Sequence, residues 1–407
     1  MKQINGGVTA AKGFEAASAQ AGIKYQGRTD MALVYSTAPC TVAGTVTKNV
    51  VKAAPVLWDK QLVETSEYVQ AVVVNSGIAN ACTGKQGMDC CKAEAEHAGK
   101  LLGIPAEAVL VGSTGVIGMQ MPVEKLCAGI DSLVASKEAT LEAGLKAAKA
   151  IMTTDTVHKE IAFTFEVGGV TATIGGMCKG SGMIHPNMCT MLGYVTTDVN
   201  ISKEMLQKAL SADVEDTFNM VSVDGDTSTN DTLLVMANGL AGNVCIDKEG
   251  ADYEAFCEAL HAVNTYLAKK MAGDGEGATA LFMTKVINAD TKENARTLAK
   301  SVICSSLTKA AIFGHDANWG RILCALGYSG VTFDPENVDL YFEAEGQKMH
   351  IFGNGVACDY SEEQATEILS KEEVTALVDM HMGEATATAY GCDLSYDYVK
   401  INADYRS

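Results

Sequence analysis

Apolar positions along the chain recur with three different rhythms, and each predicts a different element. Residues 68–77, YVQAVVVNSG, form an almost unbroken apolar run closed by a turn, the pattern of a strand buried on both faces. Residues 107–118, EAVLVGSTGVIG, predict a second strand that runs into a glycine-rich turn. Residues 160–177 alternate apolar with polar about Gly168–Gly169 and predict a β-hairpin. MLGYVTTD (191–198) and TLLVMAN (232–238) read as further strands. Helical spacing marks 90–103, which stops at a glycine, 140–152, and 202–218, which opens on a Ser cap. It also marks two long amphipathic helices at 253–272 and 292–313. The last stretches, VDLYFEAEGQKMHIFGNGVA and EVTALVDMHMGEATATAYGCDLSYDYVKIN, are strand-rich. The elements alternate irregularly, without the regular βαβ unit of a doubly wound fold, so the expected class is layered α/β. No repeat at a fixed period and no low-complexity segment interrupts them.

Bulk composition narrows the picture. The chain has 407 residues, enough for two or three compact units at roughly 100 to 200 residues each. With 47% hydrophobic and 20% charged residues it builds a large core. Its charge, 31 − 50 = −19, argues against a nucleic-acid partner, because phosphate binding needs a basic face. The N-terminus lacks the charged-then-apolar order of a signal peptide, and no run of about 18 apolar residues occurs, so no membrane span and a cytoplasmic location are expected. The 13 cysteines include no CxxC pair and no Cys/His cluster with zinc spacing. They are expected as reduced thiols, with no metal and no structural disulfide.

Fingerprints for dinucleotides and for P-loops are absent. The informative segments are short and each admits two readings. KGSG (179–182) is either a ligand loop or a surface β-turn. GSTG (112–115) ends a strand, where backbone N–H groups could face a developing oxyanion or simply lead into a helix capped by Thr114. TTDT (153–156) can cap, turn or touch a ligand. DGDTSTND (224–231) resembles the start of a calcium loop but lacks the glycine and distal glutamate at the required spacing. HDANWGRI (315–322) places Trp319 beside Arg321, an aromatic anchor on local grounds. No histidine accompanies a GxSxG elbow, which removes the ordinary serine hydrolase. Cys189 and His185 stand four apart in one loop, which is no sign of pairing.

At GMCKGSGMIHPNMCTMLGYVTTD (176–198) the chain resembles the ornithine acetyltransferase family, the glutamate N-acetyltransferases of arginine biosynthesis. The likeness extends in order through NSGIANACTGKQG (75–87), STGVIG (113–118), IMTTDT (151–156), VDGDTSTNDT (223–232), DGEGATA (274–280), FGHDANWGRI (313–322) and the tail NADYRS (402–407). Two positions depart from that family's pattern: Cys189 stands where alanine is usual, and His158 near where proline is frequent.

The resemblance implies a layered α/β enzyme with a threonine N-terminal nucleophile, a larger N-terminal part and a smaller C-terminal one. It implies self-cleavage between Cys189 and Thr190, giving chains 1–189 and 190–407 that stay together as an α2β2 heterotetramer. Thr190 would then take acetyl from N-acetylornithine and pass it to glutamate. Thr114 and Gly115 would form the oxyanion hole, and Thr153, Lys179, Thr190, Glu276, Asn402 and Ser407 would contact substrate, Lys179 at a carboxylate and Glu276 at an ammonium. No cofactor is implied, although some members take acetyl-CoA as donor. Two other functions compete: an N-terminal-nucleophile amidase or aminopeptidase, which would pass the acyl group to water, and a non-catalytic amino-acid-binding protein, which would not cut itself.

Overall fold

The computed structural model describes residues 1–185 and 191–403. Cys189, Thr190 and Ser407 lie outside the described residues.

The first sheet has nine strands. They are β1 (Lys2–Ile4), β2 (Phe14–Ala19), β3 (Met31–Val46), β4 (Val69–Ile78), β5 (Val109–Val116), β6 (Lys159–Val167), β7 (Val170–Lys179), β8 (Leu192–Thr197) and β9 (Thr232–Ala237). Their order is β1-β6-β7-β8-β9-β3-β4-β5, with β2 beside β3. The 16-residue β3 joins the two halves: Met31–Tyr35 pair with β4, and Thr41–Val46 pair with β9. β4 and β8 are buried nearly end to end, which explains their apolar runs. The β6–β7 hairpin closes through Gly168 (φ 57°) and Gly169 (φ 78°), with Val167 opposite Val170. Both glycines take the positive φ that a tight two-residue turn demands.

The helices of this part are α1 (Ala54–Thr65), α2 (Gly84–Leu102), α3 (Val123–Ser136), α4 (Leu141–Ala150), α5 (Lys203–Asp213) and α6 (Ala251–Gly273). Helix α4 starts where the Thr140 hydroxyl accepts from the Ala143 N–H, and α5 where the Ser202 side chain accepts from Met205. Helix α6 packs on β6 and β7 and also touches the second sheet, so both sheets share one core.

The second, six-stranded sheet is built from β10 (Leu281–Ala289), β11 (Asp339–Ala344), β12 (Gln347–Gly353), β13 (Val356–Ala357), β14 (Glu373–Asp379) and β15 (Ala385–Cys392). Its order is β13-β12-β11-β14-β10-β15. Around it run α7 (Lys292–Cys304), α8 (Ser306–Phe313), α9 (Trp319–Gly327) and α10 (Glu362–Leu369), and α11 (Tyr396–Ala403) follows. Trp319 does anchor packing, stacked on Phe352 with ring centroids 5.1 Å apart.

The layered α/β class expected from the pattern is the observed one, with the larger sheet in the N-terminal half. Several boundaries differ, and the helix expected over 90–103 already begins at Gly84. The helix expected over 292–313 is two, because Ser305 leaves the helical conformation and its side chain accepts from the Thr308 N–H to start α8. The helix expected over 202–218 ends at Asp213, and residues 218–220 form a short 3-10 turn. The final strand-rich stretch ends in helix α11. The twelve described cysteines are all free thiols. No described helix is long and apolar enough to cross a membrane.

Candidate functional site

The site forms where the C-terminal ends of β5 and β7 meet the start of β8. Register places Lys179, the last residue of β7, opposite Leu192, the first of β8. Strand β8 lies parallel to β9, and the Thr232 N–H donates to the Met191 carbonyl (2.8 Å). One small pocket is lined by Thr114, Lys179, Gly182, Met191, Ser228 and Asn230, among others. Met191 directly follows Thr190 in the chain, so this pocket sits at the exit of the segment quoted above.

The GSTG segment is shaped by backbone contact. Gly115 (φ 133°) lies against Gly77 (φ 104°) in the parallel β4–β5 pair, and a Cβ at Gly115 would fall 2.3 Å from the Gly77 carbonyl. No other residue fits there. Thr114 is 9% exposed and belongs to β5 rather than to a helix cap, since α3 begins only at Val123. Asn230 fixes this turn: its amide donates to the Ser113 carbonyl (2.9 Å) and to the Ala79 carbonyl. The polar loop 224–231 thus braces β5 from across the site.

KGSG is not a surface turn. Lys179 is 8% exposed and Ser181 fully buried. Among the described residues, Lys179 Nζ makes no hydrogen bond or ion pair. The loop is held from two sides. Asp224 accepts from the N–H groups of Met183 (2.7 Å) and Ile184 (2.9 Å). Asp155 accepts from the Gly180 N–H (2.7 Å) and, through its other oxygen, from the Thr153 N–H (3.0 Å). Burial by itself pushes Asp155 up, but the charges of Lys179 and Lys159 and its hydrogen bonds overcome this and hold it down at about 2. So TTDT neither caps a helix nor floats: its aspartate laces two loops together.

Glu276 lies beside this loop. Its carboxylate packs so tightly on Gly182 that a Cβ there would sit 2.3 Å from Oε2, and its N–H donates to the Ser181 carbonyl (3.0 Å). The Asn402 amide donates to Glu276 Oε2 (2.8 Å), which brings the described end of the chain to the site. Thr153 is not among the pocket-lining residues and is connected to the pocket through Asp155.

His185 points elsewhere. Its Nδ1 is 3.0 Å from Ser222 Oγ and 3.6 Å from Cys304 Sγ. Burial, reinforced by the charge of Lys300, keeps the imidazole neutral and pushes it down to about 4. Among the described residues no cluster of His, Cys, Asp and Glu has the geometry of a metal site, the DGDTSTND loop included.

Asn230, Asp155, Asp224 and Gly182 were not singled out by sequence reasoning. Each stands inside a recognisable motif, but nothing in a motif says which of its residues faces ligand and which holds the backbone.

The pattern of the ArgJ family matches residues 15–407. An arginine biosynthesis bifunctional protein ArgJ from Symbiobacterium thermophilum is 53% identical over the full length of both chains. ArgJ 1 of Clostridium acetobutylicum is 49% identical, covering 99% of this chain and 98% of its own. The crystal structure of the Bacillus halodurans ArgJ protein is 45% identical with a TM-score of 0.50, covering 97% of that chain but 52% of this one. The chain is thus an enzyme of arginine biosynthesis with a layered α/β fold. The chain belongs to the ArgJ family.

Proposed function

We propose that the chain cuts itself between Cys189 and Thr190 and then moves an acetyl group from N-acetylornithine to glutamate through an ester on Thr190. In the first step the Thr190 hydroxyl adds to the Cys189 carbonyl, the C–N bond breaks in an N→O acyl shift, and water hydrolyses the ester. Chains 1–189 and 190–407 result. The freed α-amine of Thr190, with a reference pKa of roughly 7.7 to 8.0, is a competent base near neutral pH. It takes the hydroxyl proton as Thr190 Oγ attacks the acetyl carbon, and returns it to the departing ornithine nitrogen. The amine of glutamate then attacks the acetyl-threonine ester and regenerates the hydroxyl.

Thr114 and the Gly115 N–H stabilise the oxyanion of both steps. Lys179 holds the α-carboxylate and Glu276 the side-chain ammonium of ornithine, with Thr153, Asn402 and Ser407 completing the substrate contacts. The group transferred is carried by Thr190 itself, so the reaction needs no cofactor, and acetyl-CoA is a second candidate donor. The cut chains remain together through the core that α6 shares with both sheets and pair as an α2β2 assembly, in a cytoplasmic setting.

The observation that carries this reading is the pocket that gathers Thr114, Lys179 and Met191, the residue after Thr190. The solved Bacillus halodurans chain adds support: 97% of it corresponds to only 52% of this one, as a chain cut once near its middle would. The test uses purified protein. Wild type should run as two bands on a denaturing gel, the C-terminal one beginning TMLGYVTTD, and Thr190→Ala as one band. Ornithine release from N-acetylornithine should require glutamate. Equal release without glutamate identifies an amidase, and a single wild-type band with no release leaves only a binding protein.

A further inference from the structure

Lys159, the first residue of β6, is 1% exposed and its side chain fully buried. Its ammonium makes three hydrogen bonds: to Asp155 Oδ1 (2.7 Å), to Asp274 Oδ2 (2.5 Å) and to the Val157 carbonyl (3.2 Å). All three protons are used. Through these partners Lys159 reaches the 153–157 and 179–182 segments of the site. Asp155 holds the N–H groups of Thr153 and Gly180. Asp274 accepts from the N–H and hydroxyl of Thr156, and its carbonyl accepts from Ser181 Oγ (2.6 Å). Two residues beyond Asp274 stands Glu276.

Four charges therefore share one buried region: Asp155 and Asp274, Lys159 and Lys179. The thiol of Cys178 faces the same group but is pushed up to about 12, by burial first, and stays neutral. Burial opposes the charge on Lys159, yet the carboxylates of Asp155 and Asp274 more than offset it and hold the ammonium above its ordinary range. Asp155 feels the charges of both lysines but bonds only Lys159. A carboxylate that is bonded and charge-matched gains little from drawing in a second cation, and an unmatched one in a buried setting gains a great deal.

We propose that Lys159 is the positioning residue of this site: by occupying Asp155 it prevents Asp155 from capturing Lys179, and so leaves Lys179 available to a substrate carboxylate. This rests on the acyl-transfer reading only for the identity of the ligand. Without Lys159, Asp155 turns to Lys179, the other lysine whose charge it feels among the described residues, and the substrate must compete with an internal carboxylate.

The test is Lys159→Gln, alone and with Asp155→Asn, in the otherwise native full chain. Lys159→Gln should raise KM for N-acetylornithine at least about tenfold while changing kcat less than about threefold. The KM defect should be smaller at low pH, where Asp155, no longer held by Lys159, takes up a proton and releases Lys179. The double variant, which removes the competing carboxylate, should recover most of the KM. A merely structural lysine predicts the reverse, two additive losses without pH dependence, and that result overturns the proposal. A substrate-free crystal structure of Lys159→Gln gives an arm independent of activity: Lys179 Nζ should lie within about 4 Å of an Asp155 oxygen. Lys179 left away from Asp155 also overturns it. An inactive wild type would sink the acyl-transfer reading and leave this structural arm intact. If Lys159→Gln does not fold, the wild-type structure with N-acetylornithine decides: Asp155 on Lys159 and Lys179 on the ligand carboxylate supports the division, and Lys179 on Asp155 overturns it.

Discussion

Two groups of buried acids among the described residues behave in opposite ways. At the site, Asp155 and Asp274 enclose Lys159, every carboxylate oxygen faces a donor, and Asp155 is held down at about 2. Behind β5, Asp59 on α1 and Glu94 on α2 are each 1% exposed, and among the described residues neither makes an ion pair. Asp59 accepts from the Val111 N–H (2.9 Å) and Glu94 faces Cys90 Sγ (3.3 Å), but Asp59 Oδ2 and Glu94 Oε2 have no partner. Burial pushes Glu94 up to about 8 and Asp59 well above its usual range. Burial acts on both clusters in the same direction. The difference is one lysine, and it decides whether buried acids are fixed anions that orient backbone or neutral groups that merely fill space.

The largest effect is expected from breaking the matched cluster. Asp274→Ala leaves Lys159 short of one carboxylate and the Thr156 and Val157 N–H groups without their acceptor. It should cost about 3 kcal/mol, read by urea unfolding at pH 7. A loss below about 1 kcal/mol would show that Asp274 is not needed to balance the charge.

The unmatched cluster should respond with the opposite sign. Glu94 has its folded pKa raised, so above about pH 4.5 the unfolded chain sheds a proton that the folded chain keeps until about pH 8. Its contribution is complete at low pH and is lost as pH rises through that window. Glu94→Gln, which cannot ionise, should therefore stabilise the protein by about 2 kcal/mol at pH 8 and change little at pH 4, measured by thermal unfolding across the range. Equal melting curves at pH 8 would mean that folding does not make Glu94 harder to ionise.

Asp155 supplies the mirror image. Its folded pKa is lowered, so its stabilisation is present above about pH 4 and lost as pH falls toward 2. Asp155→Asn should flatten the acid limb of the unfolding curve, and an unchanged limb would place that limb on other carboxylates.

The smallest effect belongs to a matched pair left in water. Lys85 and Asp89 lie one helical turn apart on α2 with N···O at 2.8 Å and largely exposed side chains. Asp89→Ala should cost less than about 0.5 kcal/mol, vanishing in high salt. A larger loss would mean that burial is not what separates the clusters.

Which parts of this could be read along the chain follows the same physics. The hairpin about Gly168–Gly169, the buried strands β4 and β8 and helix α6 were evident because their signals are local: a two-residue period, an apolar run, a repeating apolar face. The break at Ser305 was not, because the apolar spacing runs through it and only a side-chain cap divides α7 from α8. The family resemblance names Thr114, Gly115, Lys179, Glu276 and Asn402, and the fold places them in one region. Lys159 opens the strand KEIAFTF like any solvent-facing residue, and only the fold shows it buried.

By itself the sequence determined the layered α/β class, the family, and which short segments carry chemistry, since these depend on the order and spacing of residue types. Only the tertiary structure decided that Gly115 must abut Gly77, that Asn230 braces β5, and that Lys159 rather than Lys179 is the partner of Asp155. Those outcomes join residues as much as 151 positions apart, as Asn230 and Ala79 are. They turn on burial and on which opposite charge is nearest, and neither quantity exists until the chain has folded.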